Sequence, residues 1–263
     1  MWTREELKTR AKSVLRVSYW KAFLIALVIA FVSGGRGSSV RNNINRNATR
    51  WDYNNSSIID FNGGGYNYHV NFNNYIFPRW LGISLGIGIL IILAIAVFRI
   101  FIGYLLEVGG RRYFVHAAQN DADMNNLGYG FNKDRYKGIV LTMLWRGFLN
   151  FLWFLLLIIP GIVKAYAYRM VPYILADNPN IGYKRAVELS VQMTDGEKFN
   201  MFVLDLSFIG WYLLGGLVFG MGVFFVNPYS YATEAELYLV LRQNALNKGF
   251  CSYEELFRND MLV

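Results

Sequence analysis

A chain that carries "WLGISLGIGILIILAIAVFRIFIGYLL" at residues 80–106 has few folds open to it. A helix needs about 20 predominantly apolar residues to cross a hydrocarbon layer of roughly 30 Å, and this run supplies them with Arg99 as its only charge. In lipid the backbone must satisfy its own hydrogen bonds, so an isolated apolar run of this length is expected to be a helix. Further apolar runs occupy 19–32, 138–159, 162–176, 199–226 and 229–243. Only 17% of the residues are charged, against about 25% in an ordinary soluble domain. The expectation is an all-α polytopic membrane protein of about six segments. Four are full spans; 162–176 and 229–243 are shorter, Pro-broken or interfacial. In an alternative four-span arrangement those two lie at interfaces. The chain reads as a single integral membrane domain, 1–263.

The polar segments suggest the orientation. Basic residues collect in the N-terminal tail, in 107–137, in 178–198 and in the tail 244–263, which the positive-inside rule assigns to the cytoplasm. Both termini are then cytoplasmic and the segment 34–78 is external, in a plasma membrane. Arg36, Arg41, Arg46, Arg50 and Arg79 argue the other way, but the rule weighs short loops most. Segment 34–78 is rich in Asn, Gly and Tyr, too poor in aliphatic residues for a core of its own. Its "YNYHVNFNNYIF" has the alternation of a hairpin, and Asn47-Ala48-Thr49 fits a glycosylation sequon.

Residues 3–18 begin with Thr3 and Glu6 at capping-box spacing and place Leu7, Ala11, Val14 and Leu15 on one face. This is a basic amphipathic helix, either lying on an anionic leaflet or forming a solvated lead-in to the first span. "AFLIALVIAFVSGG" has the look of a signal-peptide core, but the helical segment before it is long for a signal n-region. Gly82 with Gly86, and Gly216 with Gly220, have the spacing that lets helices approach closely. Asn180 is the expected N-cap of the 178–198 segment, and Asp195-Gly196 its stop.

Ionisable residues within spans are expensive and mark either structure or function. Counting from each cytoplasmic end at about 1.5 Å per residue, Arg99 is about 10 Å deep and Asp205 about 9 Å. Arg146, Arg169 and Glu236 are each about 12 Å deep, so five helices contribute to one charged layer. Arginines can snorkel to headgroups; Asp205 and Glu236 are too short for that, so an ion-pair layer is expected, with a pocket as the further reading. A pocket with an arginine excess would suit an anionic or zwitterionic ligand such as a phospholipid headgroup. Tyr166 and Tyr173 share the helical face of Arg169, and Lys164 reads as an interfacial anchor. Pro160-Gly161, Pro172 and Pro228 are the expected helix breaks, with a corner at 160–161 and a kink at 172.

The order of "TREELKTRAK", "LWFLLLIIPGIVKAYAYRMVPYILADNP", "AVELSVQM" and "LDLSFIGWYLLG" followed by "NPY" resembles the bacterial integral-membrane family termed domain of unknown function 975. The resemblance spans nearly the whole chain outside 34–78 and implies a fold and a location, with no activity attached. More distantly, the chain is similar to the membrane domain joined to some glycerophosphodiester phosphodiesterases, where catalysis resides in a separate domain. That similarity implies lipid-proximal work.

Cys251 is the only cysteine, and His69 and His116 lie in different polar segments, so neither an internal disulfide nor a Cys- or His-based metal cluster is expected. Hydrolase, phosphate-loop and zinc-protease motifs are missing, and no cofactor is implied. The net charge of +8 fits membrane topology and anionic headgroups rather than nucleic acid. The expected role is non-enzymatic: a membrane component that interacts with lipid or with a partner membrane protein. The rival expectation is a small transporter using the charged layer as its binding site.

Overall fold

A computed structural model describes residues 2–32, 58–63, 66–71, 79–217 and 222–257. The sequon at Asn47, most of 34–78, Gly220 and the last six residues of the tail lie outside the described residues. The chain divides into two compact units, 1–38 with 99–263, and 39–98.

The unit 39–98 holds a hairpin and a helix. Strands β1 (Ile58–Gly63) and β2 (Tyr66–Asn71) pair antiparallel, from Ile58 opposite Asn71 to Gly63 opposite Tyr66. The alternating Tyr66, Tyr68 and Val70 are residue types that favour a pleated strand. Helix α2 (Arg79–Phe98) leaves its large side chains from Leu85 to Phe98 mostly exposed. A Cβ built on Gly86 would meet nothing within 4 Å, so the expected small-residue contact is not made among the described residues.

In the larger unit α1 (Arg4–Val32) is followed, after the 39–98 unit, by a π-turn (Arg99–Gly103) and α3 (Tyr104–Ala118). A 3-10 turn (Met124–Phe131) leads to α4 (Lys133–Leu156), α5 (Ile158–Ala167), α6 (Val171–Asp177) and α7 (Tyr183–Met193). The series closes with α8 (Lys198–Leu217), α9 (Gly222–Asn247) and α10 (Tyr253–Phe257). Among the described residues, four helical stretches are long and apolar enough to cross a membrane: 4–32, 84–118, 133–156 and 198–216. The runs at 162–176 and 229–243 are not among them.

Several sequence expectations change here. The amphipathic 3–18 and the span after it form one helix, marked only by a non-helical Ser18 (φ −126°, ψ 24°). Its apolar stripe does not face a leaflet: Leu7, Ala11 and Leu15 are buried in the core, where α1 packs against α9. Half of the capping box forms, with the Glu6 amide donating to Thr3 Oγ1 at 3.2 Å, while the Glu6 carboxylate pairs with Arg10.

The break expected at Pro160-Gly161 falls at Leu157, which is extended (φ −159°, ψ 145°). Pro160 then occupies the first turn of α5, where a missing amide leaves no intrahelical bond unmade. Pro172 does not kink a helix but starts one, at the head of α6, and residues 168–170 turn between α5 and α6. Pro228 breaks nothing; α9 runs through it from Gly222. The run 199–226 is correspondingly divided, with α8 ending at Leu217 and Gly215 lying against Gly222. A Cβ on Gly215 would come within 2.8 Å of the Gly222 carbonyl carbon, whereas one on Gly216 meets nothing. Gly182, at φ +93°, precedes α7 in place of Asn180; Thr194 follows its last residue, close to the expected stop.

The largest correction concerns 107–137, read as a cytoplasmic loop. Its first third is α3, buried on every side from Glu107 to Val115 and packed against α1, α6 and α9. Gly109 lets the 3-10 turn lie directly on α3, since a Cβ there would be 2.2 Å from the Leu127 carbonyl oxygen.

Candidate functional site

Helix α3 places Arg111 in the core, the turn after α5 places Arg169 beside it, and α9 brings Glu234 between the two. Arg169 donates to both oxygens of Asp205 on α8, at 2.9 and 2.8 Å, and to Glu234 Oε1 at 2.6 Å. Arg111 donates to Glu234 Oε2 at 3.1 Å and to the Tyr173 hydroxyl at 3.0 Å. Tyr166 donates to Asp205 Oδ2 at 2.9 Å, and Tyr173 to Glu234 Oε2 at 3.2 Å. Aromatic faces complete the shell: the Arg111 guanidinium lies 4.5 Å from the Tyr231 ring centre and that of Arg169 5.6 Å from Tyr166.

The arrangement is electrically balanced, two guanidiniums against two carboxylates. Buried charge is stabilised by the hydrogen bonds it keeps: Asp205 and Glu234 each accept three of these bonds, while the Nε atoms of Arg111 and Arg169 are buried without a hydrogen-bond partner among the described residues. Three donated bonds on each carboxylate, drawn from α3, α5, α6 and the turn between α5 and α6, register these helices against α8 and α9.

Of the five residues expected in one layer, the structure brings Arg169 and Asp205 into direct contact, with Tyr166 and Tyr173 beside them. Arg99 and Arg146 line an adjoining cavity of about 250 Å³ with Tyr104, Glu107, Asn150 and Arg111, which also belongs to the network. There Arg146 Nη1 stands 3.7 Å from Glu107 Oε1. Glu236 is not in the layer. It is buried at a different cavity with Arg10 and Asn120, because the residue two positions before it faces the network. Residues 234 and 236 are about 200° apart around a helix, so only one of them can point there. Arg111, Glu107 and Glu234 are the members that sequence reasoning missed.

A second polar cluster explains the "ADNP" string. Asp177 accepts from the Tyr238 hydroxyl at 2.6 Å and from Arg242 at 3.0 Å, tying α6 to α9. The Asn178 side chain donates to the Glu255 carbonyl at 2.7 Å and accepts from the Asn180 amide at 2.9 Å. Pro179 lies on Gly138, where a Cβ would be 2.3 Å from the Pro179 carbonyl oxygen. The neighbouring Arg112 bonds the Ala176 carbonyl and lies 4.0 Å from the Tyr129 ring centre. Arg185 anchors α10 through Glu255, at 2.7 and 3.2 Å. That bond holds the Glu255 carboxyl below the usual carboxylate range and Arg185 above its ordinary value.

Residues 151–245 match the family described as "Protein of unknown function (DUF975)", the family that the sequence resembles. The matched stretch contains Tyr166, Arg169, Tyr173, Asp205 and Glu234, and stops short of α3 and its Arg111. No curated protein and no solved structure matches the chain.

Proposed function

We propose that the protein is a multi-pass component of a cell membrane that acts through non-covalent contact with lipid or a partner membrane protein. Both ends of the described chain are cytoplasmic and 34–78 is external. The observation that carries this reading is the ion network: Asp205 and Glu234 are each held by three donated bonds, an arrangement that fixes α3, α6, α8 and α9 against one another. The exposed aliphatic and aromatic side chains of α2, α4, α5 and α8 supply the lipid-facing surface. In this reading 158–176 and the first half of α9 are also within the bilayer, as two short segments.

A second reading has its own observation, the 250 Å³ cavity beside Arg99, Arg111 and Arg146. Its three arginines and one glutamate suit a small anion or zwitterion, and a transporter would use it as the binding site. Reconstitution into sealed vesicles separates the two. The first reading expects a chain that resists alkaline extraction and passes no entrapped organic anion. Efflux of such an anion that Arg146→Gln abolishes would replace it with the second, and a chain extracted by alkali would end both.

A further inference from the structure

A groove of about 900 Å³ opens between the start of α1 and the first half of α8, away from the ion network. Arg4, Lys8 and Lys12 line it from α1, with Glu5 as the acidic residue beside them. Their spacing of four residues stacks them on one helix face, and like charges so placed disfavour the helix unless something negative lies along them. None of the three forms an ion pair among the described residues. This contrasts with Arg111, Arg146, Arg169, Arg185 and Arg242, all of which face carboxylates.

The groove holds its cations in place by other means. Lys8 Nζ lies 4.4 Å from the Phe208 ring centre and donates to the Ser207 carbonyl at 3.4 Å. Lys12 Nζ lies 5.8 Å from the Tyr229 ring centre. Across the groove α8 contributes Phe199, Asn200, Val203 and Ser207. Trp2 closes one end with a buried indole Nε1 that has no hydrogen-bond partner. On the outer side α8 exposes Phe199 at 73%, with Phe202 and Leu206 about half exposed, so the cationic floor borders an apolar surface.

Helix α8 starts at Lys198, after the polar turn at 194–197, and Ser207 is nine residues on, about 14 Å along the axis. The groove therefore runs from the start of α8 to the middle of that apolar helix, its cations flanked by Trp and Tyr and bordered by apolar side chains, the combination that an anionic headgroup with its acyl chains requires. We propose that this groove is a binding site for an anionic phospholipid, its phosphate between Arg4, Lys8 and Lys12 and its acyl chains against Phe199, Phe202 and Leu206. The assignment rests on the membrane reading above and adds a lipid class to it.

The test is native mass spectrometry of the full chain, purified in mild detergent and supplied with equal amounts of phosphatidylglycerol and phosphatidylcholine. The wild type is expected to retain phosphatidylglycerol in preference, and each removed charge is expected to lower that preference about fivefold. Lys8→Gln with Lys12→Gln then brings it close to parity, while Lys8→Arg with Lys12→Arg keeps it. Arg10→Gln, on the neighbouring face and paired with Glu6, leaves it unchanged. Should the double glutamine variant fail to stay monodisperse, Lys12→Gln alone is read against the same expectation. Equal retention of the two lipids by the wild type, or an unchanged preference in the glutamine variants, would overturn the site. So would displacement of the lipid by millimolar inorganic phosphate, which would mark a soluble-anion site instead. Insertion of the wild type into phosphatidylcholine vesicles is measured first. Failure there removes the membrane reading, whereas insertion without a lipid preference removes this site alone.

Discussion

Glu234 and Asp205 share Arg169, yet they are unequally placed: 4% of the Glu234 side chain is exposed and 29% of that of Asp205. Taking one partner from a buried pair leaves an uncompensated charge and costs about 3–5 kcal/mol. Glu234→Gln takes a carboxylate from both Arg111 and Arg169, leaving Arg169 its bonds to Asp205, and is expected to fall in that range, measured as thermal unfolding in detergent. Asp205→Asn leaves Arg169 its bond to Glu234 and the charge nearer to solvent, so a smaller loss is expected. If both variants unfold with the wild type, the network does not hold these helices. Replacing Arg169 by Lys should also destabilise, because an ammonium cannot donate in parallel to both oxygens of Asp205 while reaching Glu234.

At the scale of elements, the close contacts run through glycines whose neighbours are backbone. Alanine at Gly138 would press on the Pro179 carbonyl and at Gly109 on that of Leu127, neither of which can rotate away. Each substitution is expected to lower stability by about 1–3 kcal/mol, whereas Gly210→Ala, facing open space in a helix, is expected to be neutral or stabilising. Thermal shift of the three variants side by side checks this. The sequence made the long apolar helices legible, since span length and composition are local properties. It set Tyr166, Arg169 and Tyr173 on one helical face. The structure brings them together with Asp205 differently, with Tyr166 on α5, Tyr173 on α6 and Arg169 in the turn between, because the chain turns at 168–170 where the sequence suggests one helix. The sequence could not choose Glu234 over Glu236, since rotation of α9 is set by what packs on it. Pro228 misled for a related reason: a proline within a helix bends or breaks it according to how its neighbours take up the freed carbonyl. Arg111 and Arg112 were hidden by their own charge. A signal did exist, the unbroken helical run of Leu105, Val108, Phe114 and Val115 around them, but basic residues beside a span read first as a cytoplasmic loop.

For the whole molecule, acid should open the C-terminal end before the core. The Glu255 carboxyl, held low by Arg185, adds stability that is fully present above its unfolded value near 4.5 and is lost as pH falls through the lower folded value. Hydrogen exchange at 250–257 is expected to rise as pH falls below the ordinary glutamate value near 4.5 while α3 stays protected, and Glu255→Gln should remove that pH dependence. Equal opening of both regions would contradict it. The network has a different whole-chain consequence, one of timing. Glu234 lies 123 residues after Arg111 and 65 after Arg169. At about 5–20 residues per second of synthesis, Arg169 waits on the order of 3–13 s for this carboxylate. A nascent chain halted before α9 therefore displays two arginines with half of their counter-charge missing. The last long helix acts as the latch on a fold whose earlier helices have already been made.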